Sequence, residues 1–162
     1  MTPWQIAKDS ESSHQIALFC FAAKSEKLGF KLAKTEDAYK YKDPALLGVT
    51  YPIPELSFLH HCPNGGSRGD NAKSRAIAGG LLKAEGVKAG VLDIFWPLTK
   101  SVYCGLYIEM KKPSLKSAKN PMAGCSDEQL EFGNFVTEQG YFAVTCYTWV
   151  EAAEILEWYY NL

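Results

Sequence analysis

The stretch GVLDIFWPLTKSVYCGLYIEMKKP, residues 90–113, constrains the fold most because two apolar runs flank a short polar turn. Runs rich in β-branched and aromatic residues are typical of strands, and the short turn predicts an antiparallel hairpin of residues 90–96 and 102–111. Each predicted strand contains a carboxylate where an apolar residue is expected, Asp93 in the first and Glu109 in the second. The hairpin therefore places two acids in a sequence that otherwise resembles core.

Side chains alternate between the two faces of a strand, so the odd-numbered residues of each predicted strand share one face. Lys111 comes two positions after Glu109 and therefore lies on the same face. If the turn spans residues 98–102, Asp93 lies opposite Tyr107, and Glu109 is its diagonal neighbour with Cβ atoms roughly 7–8 Å apart. A register shift by two residues keeps the acids on one face, whereas a shift by one residue separates them.

Two carboxylates at this separation predict a site for a divalent cation between them. Without a cation the acids repel each other, and burial raises the pKa of one of them. Mg²⁺ typically accepts one or two carboxylates together with waters and phosphate oxygens. A lysine beside the pair, here Lys111, can orient a water or neutralise charge on a phosphate transition state. The alternative is an edge hairpin with solvent-facing charges, in which Lys111 only pairs with Glu109.

The remaining sequence alternates helix and strand patterns and predicts one α/β domain over residues 1–162, with an apolar content of 47% that is enough for a core. Apolar spacing predicts helices over residues 10–28, 71–84, 126–140 and 148–160. Short apolar runs predict two strands besides the hairpin, residues 56–62 and 141–147. The segment 29–55 is expected to be an irregular connection because its prolines exclude a regular helix. This order indicates a mixed sheet with helices on both faces.

The composition of the chain bears on where in the cell the protein is expected and on whether it contains disulfides. No run of about 18 apolar residues exists, which argues against a membrane span and a membrane partner. The N-terminus is polar and lacks a signal-peptide pattern, so a cytoplasmic location is expected. The five cysteines are odd in number and form no C-x-x-C pair, a spacing that suits neither a disulfide framework nor a zinc site.

Charge is distributed unevenly along the chain, although the net charge is only −1. Residues 60–120 contain ten Lys and Arg against four Asp and Glu, whereas residues 121–162 contain seven acids and no Lys or Arg. One interpretation of this asymmetry is a basic strip around the hairpin for a polyanion, with an acidic far side. The alternative is an ordinary solvated surface on which the helices expose charges.

Four blocks of the sequence resemble a known nuclease family. They are HCPNGG (61–66), LLKAEGVKAGVLDIFWP (81–97), GLYIEMK (105–111) and CSDEQLEFGNFVTEQGYFAVTCYTWVEAAEIL (125–156). In this order they resemble the VRR-NUC, or virus-type replication-repair nuclease, domain of the PD-(D/E)XK nuclease superfamily, in its stand-alone phage and bacterial form. The resemblance covers nearly the whole chain and implies a restriction-endonuclease-like mixed central sheet flanked by helices. It also implies the cytoplasm of a bacterium or of a phage-infected host.

The resemblance assigns roles to residues of the hairpin by position. Asp93 and Glu109 resemble the family's metal-binding carboxylates, and the backbone carbonyl of Met110 resembles its additional metal ligand. Lys111 resembles the catalytic lysine, and the implied cofactor is Mg²⁺ or Mn²⁺. One residue departs from the pattern, since Leu92 stands where the family has a proline before the Asp. Proline at that position shapes the backbone and ligates nothing, so the implied ligand set is unchanged.

Two more residues match the family at predicted helix starts. Gln129 matches a glutamine that the family places next to the active site, and its alternative role is a capping box with Ser126. Glu11 matches a first-helix acid found in many of these nucleases, which implies a catalytic and metal-binding role. Its alternative role is that of a helix-start acid stabilised by the helix dipole.

The loop PNGGSRGD is a candidate DNA contact, because backbone N–H groups of a glycine-rich loop can approach phosphates and an arginine can contact the DNA backbone. The residues concerned are Asn64, Gly65, Gly66 and Arg68. The alternative is a connecting turn, since Pro, Asn and adjacent Gly are ordinary turn residues.

The resemblance implies a metal-dependent, structure-selective DNA endonuclease that hydrolyses phosphodiester bonds and is similar to Holliday-junction resolvases of replication and repair. Two other classes stay open: a catalytically silent DNA-binding subunit of a phage replication or repair complex, and a metal-dependent hydrolase of small phosphates. The combination of Asp93, Glu109 and Lys111 favours an enzyme over the silent subunit. The basic middle segment favours a polymer over a small phosphate.

A junction-cutting function requires two active sites related by a two-fold axis, which predicts a homodimer on branched DNA. The predicted C-terminal helix, residues 148–160, is apolar around most of its circumference. One apolar stripe is enough to dock a helix on its own sheet, so its surplus aromatic residues could form the dimer interface. The first helix is the other candidate interface, and the alternative is a C-terminal helix fully buried within one subunit.

Overall fold

Four strands form one mixed sheet in the computed structural model, which describes residues 1–63 and 71–162. The strands are β1 (His60–His61), β2 (Ile94–Trp96), β3 (Leu106–Met110) and β4 (Phe142–Cys146). They lie in the order β1-β2-β3-β4, in which β1, β2 and β3 are successively antiparallel and β3 and β4 are parallel. A parallel pair needs a crossover connection, and the helix between β3 and β4 supplies it.

Seven α-helices accompany the sheet within the described parts of the chain. They are α1 (Pro3–Ile6), α2 (Glu11–Leu28), α3 (Phe30–Ala33), α4 (Asp37–Lys40), α5 (Ala72–Ala84), α6 (Asp127–Glu138) and α7 (Trp149–Tyr160). Short 3₁₀ helices lie at Pro44–Leu47, Pro54–Phe58 and Pro113–Leu115. None of the described helices combines the length and the apolar character that crossing a membrane requires.

The four long helices confirm the helices predicted from apolar spacing. Each begins one residue after the predicted first residue, and that residue is the N-cap, whose side chain accepts a backbone N–H of the first turn. The four caps are Ser10, Asn71, Ser126 and Thr148. These residue types are favoured as N-caps because their oxygens satisfy N–H groups that have no partner inside the helix.

The two faces of the sheet contact different helices. Ile94 and Ile108 are fully buried on one face, in a core that includes the apolar sides of α2 and α7. On the opposite face α6 packs on β4, and Phe132 of α6 lies edge to face with Tyr107, with ring centroids 5.5 Å apart. The predicted mixed sheet with helices on both faces is therefore confirmed.

The β2–β3 hairpin has the predicted antiparallel pairing but a different register. Phe95 pairs with Tyr107, so the next odd-numbered positions, Asp93 and Glu109, face each other directly. The expected register, with Asp93 opposite Tyr107 and Glu109 as a diagonal neighbour, is wrong by two residues. A shift by two preserves the side-chain faces, so both acids still lie on the same side of the sheet.

The hairpin turn is tighter than the expected span of residues 98–102, and between this turn and the ladder the β2 side has one residue more than the β3 side. Together these two features set the observed register. Lys100 and Tyr103 exchange two backbone hydrogen bonds of 3.0 and 2.9 Å around Ser101 and Val102. Ser101 adopts a φ of +50°, a left-handed conformation of the kind that two-residue hairpin turns use. Serine is not a strong sequence signal for this conformation, so the sequence alone does not locate the turn at Ser101 and Val102.

The predicted strand over residues 56–62 is mostly wrong. Pro54–Phe58 form a 3₁₀ helix, and only His60–His61 pair with β2. Proline suits the first turn of a helix because its φ is already helical and its missing N–H is not needed there. The carbonyl of Glu55 accepts a hydrogen bond from Trp96 Nε1 at 2.8 Å, which attaches this turn to the core.

The connection over residues 29–55 is less irregular than expected, since it contains α3, α4 and a 3₁₀ turn. Gly29 separates α2 from α3 with a φ of +86°, and a Cβ at this position would lie 2.4 Å from the carbonyl oxygen of Tyr51. Glycine therefore allows the chain to reverse here while the later part of the connection packs against it.

Helix α7 is buried along one side and exposed on the other. Ala152, Leu156 and Tyr159 are buried in the core with α2, whereas Trp158 is 42% exposed. The helix thus docks on its own subunit, as one apolar stripe allows, and it still presents a large aromatic side chain at the surface.

Candidate active site

Asp93 and Glu109 meet at the end of the β2–β3 pairing, where side chains replace the backbone hydrogen bonds of the ladder. The N–H of Asp93 donates to Oε2 of Glu109 at 3.2 Å, and the N–H of Met110 donates to Oδ2 of Asp93 at 3.0 Å. Regular pairing begins at the next position, between Ile94 and Ile108. Each acid is therefore fixed by the backbone of the opposite strand, and the two carboxylates converge as the sequence predicted.

Lys111 joins the acids on the same face. Its Nζ forms a 2.5 Å ion pair with Oε1 of Glu109, and its backbone N–H donates to the Cys146 carbonyl of β4 at 2.9 Å. Lys111 is 7% exposed, Asp93 is 9% exposed and Glu109 is 1% exposed. The alternative of an edge hairpin with solvent-facing charges is therefore wrong, because all three charged groups are buried.

Gln129 caps α6 and also contacts the acid pair. Ser126 Oγ accepts the N–H of Gln129 at 3.3 Å, and Gln129 Oε1 accepts the N–H of Ser126 at 3.0 Å, which completes the capping box of α6. The side-chain Nε2 of Gln129 also donates to Oε1 of Glu109. One glutamine thus ties the start of α6 to the acid pair.

Glu11 is the first residue of α2 and lies half-buried close to the acid pair. Burial raises the pKa of Glu11, the positive charge of Lys111 lowers it, and the negative charge of Asp93 raises it. The charges of both residues therefore act on the Glu11 carboxylate, although no described residue shares a direct side-chain hydrogen bond with it. Glu11 therefore occupies the place in the first long helix where the resemblance implied an acid.

The burial of Glu109 has a large effect on its charge state. Burial raises the pKa of Glu109 to about 7, and the negative charge of Asp93 adds to this, while Lys111 and the N–H of Asp93 oppose it. For Lys111, burial lowers the pKa, but the hydrogen bond and charge of Glu109, together with the acids Glu11 and Asp93, raise it above its ordinary value. Lys111 is therefore protonated at neutral pH.

The chemistry of the donors fits a hard cation such as Mg²⁺ or Mn²⁺. Asp93 and Glu109 provide carboxylate oxygens, the ligands that these cations prefer, and no described residue donates a hydrogen bond to Oδ1 of Asp93. Residues 1–63 and 71–162 contain no group of three or more His, Cys, Asp and Glu side chains able to surround a metal ion. A cation here would therefore depend on two carboxylates and on backbone or water oxygens.

The predicted DNA contacts Asn64, Gly65, Gly66 and Arg68 lie outside the described residues, so their role stays a prediction. Leu92, which replaces the proline of the motif, is buried and directly precedes Asp93. An apolar side chain at this position therefore packs into the protein and does not disturb the acid pair.

Sequence reasoning missed the contribution of β1 to the site. The backbone N–H of Cys62 donates to the carbonyl of Asp93 at 2.7 Å and so anchors this acid from the other side. Cys62 directly follows β1, which is antiparallel to β2. The sequence contains no local signal for this contact, because it depends on which strand lies beside β2.

Comparison with known proteins is consistent with this architecture. The fold is similar to that of a solved structure described as "VRR_NUC domain protein", with a TM-score of 0.57 and 20% sequence identity over 94% of this chain and 88% of that chain. No family model matches the sequence, and no curated protein matches it either. At this identity the likeness shows the fold alone. The chain therefore has the fold of a VRR-NUC domain, which confirms the predicted resemblance at that level.

Proposed function

We propose that this chain is a metal-dependent, structure-selective DNA endonuclease that hydrolyses phosphodiester bonds. The observation that most supports the proposal is the buried cluster of Asp93, Glu109 and Lys111 at the end of the β2–β3 hairpin. Burying three charged side chains costs free energy, and a protein tolerates that cost most readily where the charges have a function. The likeness to a VRR_NUC domain protein makes a nuclease the first candidate.

Asp93, Glu109 and the carbonyl of Met110 are the proposed ligands of Mg²⁺ or Mn²⁺, with Glu11 close enough to add negative charge. A divalent cation supplies positive charge that polarises a phosphoryl oxygen and assists the attack of water. The two acids bring two negative charges to one place, which attracts such a cation and repels an unaccompanied phosphate.

Lys111 is the proposed residue that stabilises the charge of the reacting phosphate. Its raised pKa keeps the ammonium group protonated, and its Nζ lies beside Glu109 at the site. A protonated amine in a buried, preorganised position stabilises negative charge on phosphoryl oxygens more strongly than one in water. Gln129 acts as a positioning residue, since it fixes Oε1 of Glu109 through its side-chain amide.

The proposed substrate is branched DNA in replication or repair, and the proposed assembly is a homodimer similar to Holliday-junction resolvases. Support comes from the excess of basic residues between positions 60 and 120, which suits a polyanion. A junction presents two equivalent phosphates, so two copies of one site related by a two-fold axis match its symmetry.

A cleavage panel tests this function. Labelled four-way junction, flap, single-stranded and duplex DNA of the same sequence are incubated with the chain in Mg²⁺, in Mn²⁺ and in EDTA. Cleavage is expected only with a divalent cation and faster on branched DNA than on duplex. Equal cleavage in EDTA would contradict metal dependence, and equal rates on junction and duplex would contradict structure selectivity.

A second candidate is a catalytically silent DNA-binding subunit. The observation that favours it is that both carboxylate oxygens of Glu109 already accept hydrogen bonds, Oε1 from Lys111 and Gln129 and Oε2 from the N–H of Asp93. This candidate predicts that the chain binds branched DNA in the same panel and cleaves none of the substrates in any metal.

A further inference from the structure

A cluster of aromatic rings lies beside the acid pair on the same face of the sheet. Phe95 and Tyr107 are directly paired across β2 and β3, and their rings stack with centroids 4.4 Å apart and planes 19° apart. Tyr141 lies against both rings, 6.0 Å from Phe95 and 5.6 Å from Tyr107. Three rings therefore form a continuous aromatic surface.

The aromatic surface begins two residues away from the acids along each strand. Phe95 is two residues after Asp93, and Tyr107 is two residues before Glu109. Two residues of a strand span roughly 7 Å, about twice the 3.4 Å rise per nucleotide along one strand of a duplex. A nucleic acid with a phosphate at the acid pair would thus bring a base within one or two nucleotides of that phosphate to the rings.

The rings are partly covered and partly accessible, since Phe132 of α6 lies edge to face with Tyr107 and His60 of β1 lies edge to face with Phe95. Phe95, Tyr107 and Tyr141 are half-buried, whereas Ile94 and Ile108 on the opposite face of the same strands are fully buried. The exposed part of this cluster is therefore available to a ligand, whereas the opposite face of the sheet is not.

Gly105 supports the position of the rings. A Cβ at Gly105 would lie 2.9 Å from Cε2 of Phe95 and 3.1 Å from Cδ1 of Tyr141. The absence of a side chain therefore lets both rings lie against β3.

We propose that Phe95, Tyr107 and Tyr141 form a stacking platform for an unpaired nucleobase next to the phosphate at Asp93 and Glu109. The proposal rests on the proposed function for the identity of the polymer, and it narrows the substrate to DNA with an unstacked nucleotide close to the scissile bond. Aromatic side chains bind unpaired bases of any sequence because every base has a π-face. A base inside an intact duplex has both faces covered by its neighbours and cannot use the platform.

An uncharged aromatic platform suits an unpaired nucleobase. Aromatic rings add no negative charge that would repel the phosphates of the backbone. The cation-binding acids and Lys111 would contact the backbone, while the platform contacts the base. The two parts of the site therefore recognise the backbone and a nearby base of the same strand.

Binding without cleavage tests the platform. Fluorescence anisotropy in EDTA compares a labelled duplex that has a three-nucleotide bulge with the same duplex whose bulge nucleotides are abasic. Both DNAs have the same phosphates, so a difference in affinity reports the bases. The wild-type chain is expected to bind the base-containing bulge about tenfold more tightly.

Variants assign the difference to the rings. Tyr107→Leu is expected to abolish the preference for the base-containing bulge, and Phe95→Leu provides the same test if the first variant does not fold. Tyr107→Phe should retain the preference because the ring is still present. Tyr51→Leu is the matched control, since Tyr51 is 71% exposed in the connection before β1 and lies outside the aromatic cluster. Thermal unfolding establishes that each variant is folded.

The outcomes separate this proposal from the nuclease proposal. A wild-type chain that binds both bulges equally, or that binds neither, overturns the platform. A preference that persists in folded Tyr107→Leu and Phe95→Leu also overturns it, even if the chain cleaves DNA. A preference that disappears in these two variants and persists in Tyr51→Leu supports the platform, even if the chain cleaves no DNA and the nuclease proposal fails.

Discussion

The backbone N–H of Asp93 donates a hydrogen bond to Oε2 of Glu109 at 3.2 Å, so the main chain of one acid positions the side chain of the other. The relationship is reciprocal, since Oδ2 of Asp93 accepts the N–H of Met110, the residue after Glu109. Two carboxylates that would otherwise repel are thus kept together by neutral donors from the opposite strand. We expect changes at the two positions to be coupled, because each acid fixes the other.

Neutral, similarly sized replacements at the site are expected to remove activity and keep the fold. Asp93→Asn, Glu109→Gln and Lys111→Gln should each reduce cleavage roughly 10²–10³-fold or more, because each removes a charge that acts on the reacting phosphate. The rate is measured on the branched substrate that the wild type cleaves best. Asp93→Asn combined with Glu109→Gln should be little worse than either single variant, since residues that act as a unit are not additive.

Lys40→Ala is the control for these variants, because Lys40 is an exposed lysine that pairs with Glu36 and Asp37 and lies outside the basic segment 60–120. It should cleave at the wild-type rate. Near-normal turnover of any folded Asp93, Glu109 or Lys111 variant would contradict its assignment to the reaction.

Glu109 should make the metal-free chain less stable as the pH rises. Its pKa is raised to about 7 in the folded state from an ordinary value of 4.5, so its stabilising contribution is complete below pH 4.5 and is lost as the pH rises towards 7. Between about pH 5 and pH 8 the loss should be on the order of 2 kcal/mol. The free energy of unfolding, measured with urea in EDTA, should fall across this range by more in the wild type than in Glu109→Gln. Parallel pH curves for the two chains would contradict the raised pKa.

The two roles of Gln129 can be separated by comparing it with its capping partner. Gln129→Ala should weaken Mg²⁺ or Mn²⁺ binding about tenfold, because a group that orients a metal ligand typically contributes this much. Ser126→Ala removes the capping side chain but leaves the Gln129 amide next to Glu109. It should lower the free energy of unfolding by about 1 kcal/mol without changing the metal affinity. Titration calorimetry measures the affinities, and equal losses in both variants would contradict a direct role of Gln129.

The site was predictable from sequence where its geometry follows from local rules. Strand alternation alone placed Asp93 and Glu109 on one face, and this survived an error of two residues in the register. The spacing of Ser126 and Gln129 predicted the start of α6 because a capping box is a contact between near neighbours in sequence.

The remaining features depend on contacts between distant parts of the chain. The 3₁₀ turn at Pro54–Phe58 is attached by Trp96, far away in sequence, so an apolar run that resembled a strand adopts another structure. The tight hairpin turn depends on the positive φ of Ser101, which serine adopts only when the surrounding pairing enforces it. The bond from Cys62 to Asp93 requires knowledge of the strand order.

His14 should make the junction between α2 and α7 sensitive to acid. Its Nδ1 accepts the N–H of Trp149 at 3.2 Å, and burial lowers its pKa, although Asp9 and Glu151 act in the opposite direction. A lowered pKa means that the stabilisation is present above the unfolded value near 6.5 and is lost as the pH falls.

His14→Ala should therefore lower the free energy of unfolding by about 1–2 kcal/mol near pH 7.5, because it leaves the buried N–H of Trp149 without its acceptor. The difference in the free energy of unfolding between this variant and the wild type should shrink near pH 5, because protonation of His14 already opposes the bond in the wild type. Urea unfolding at the two pH values measures the effect, with exposed His61→Ala as the control. A difference that grows at low pH would contradict the bond as described.

The proposed homodimer is tested by mass in solution. Light scattering at micromolar concentration should give twice the 18.0 kDa mass of the chain. Two surfaces are candidates for the interface: α7, on which Trp158 is 42% exposed, and α2, on which Ile16 is 58% exposed.

Aromatic and large aliphatic side chains are typical of interface centres, so an aspartate at the correct position should convert the dimer to a monomer. Trp158→Asp and Ile16→Asp therefore identify the interface, and Phe135→Asp on the exposed side of α6 is the control that should remain dimeric. A monomer mass for the wild type that persists with junction DNA bound would contradict the dimer, and it would weaken the resolvase-like proposal because one site cannot make two symmetric cuts.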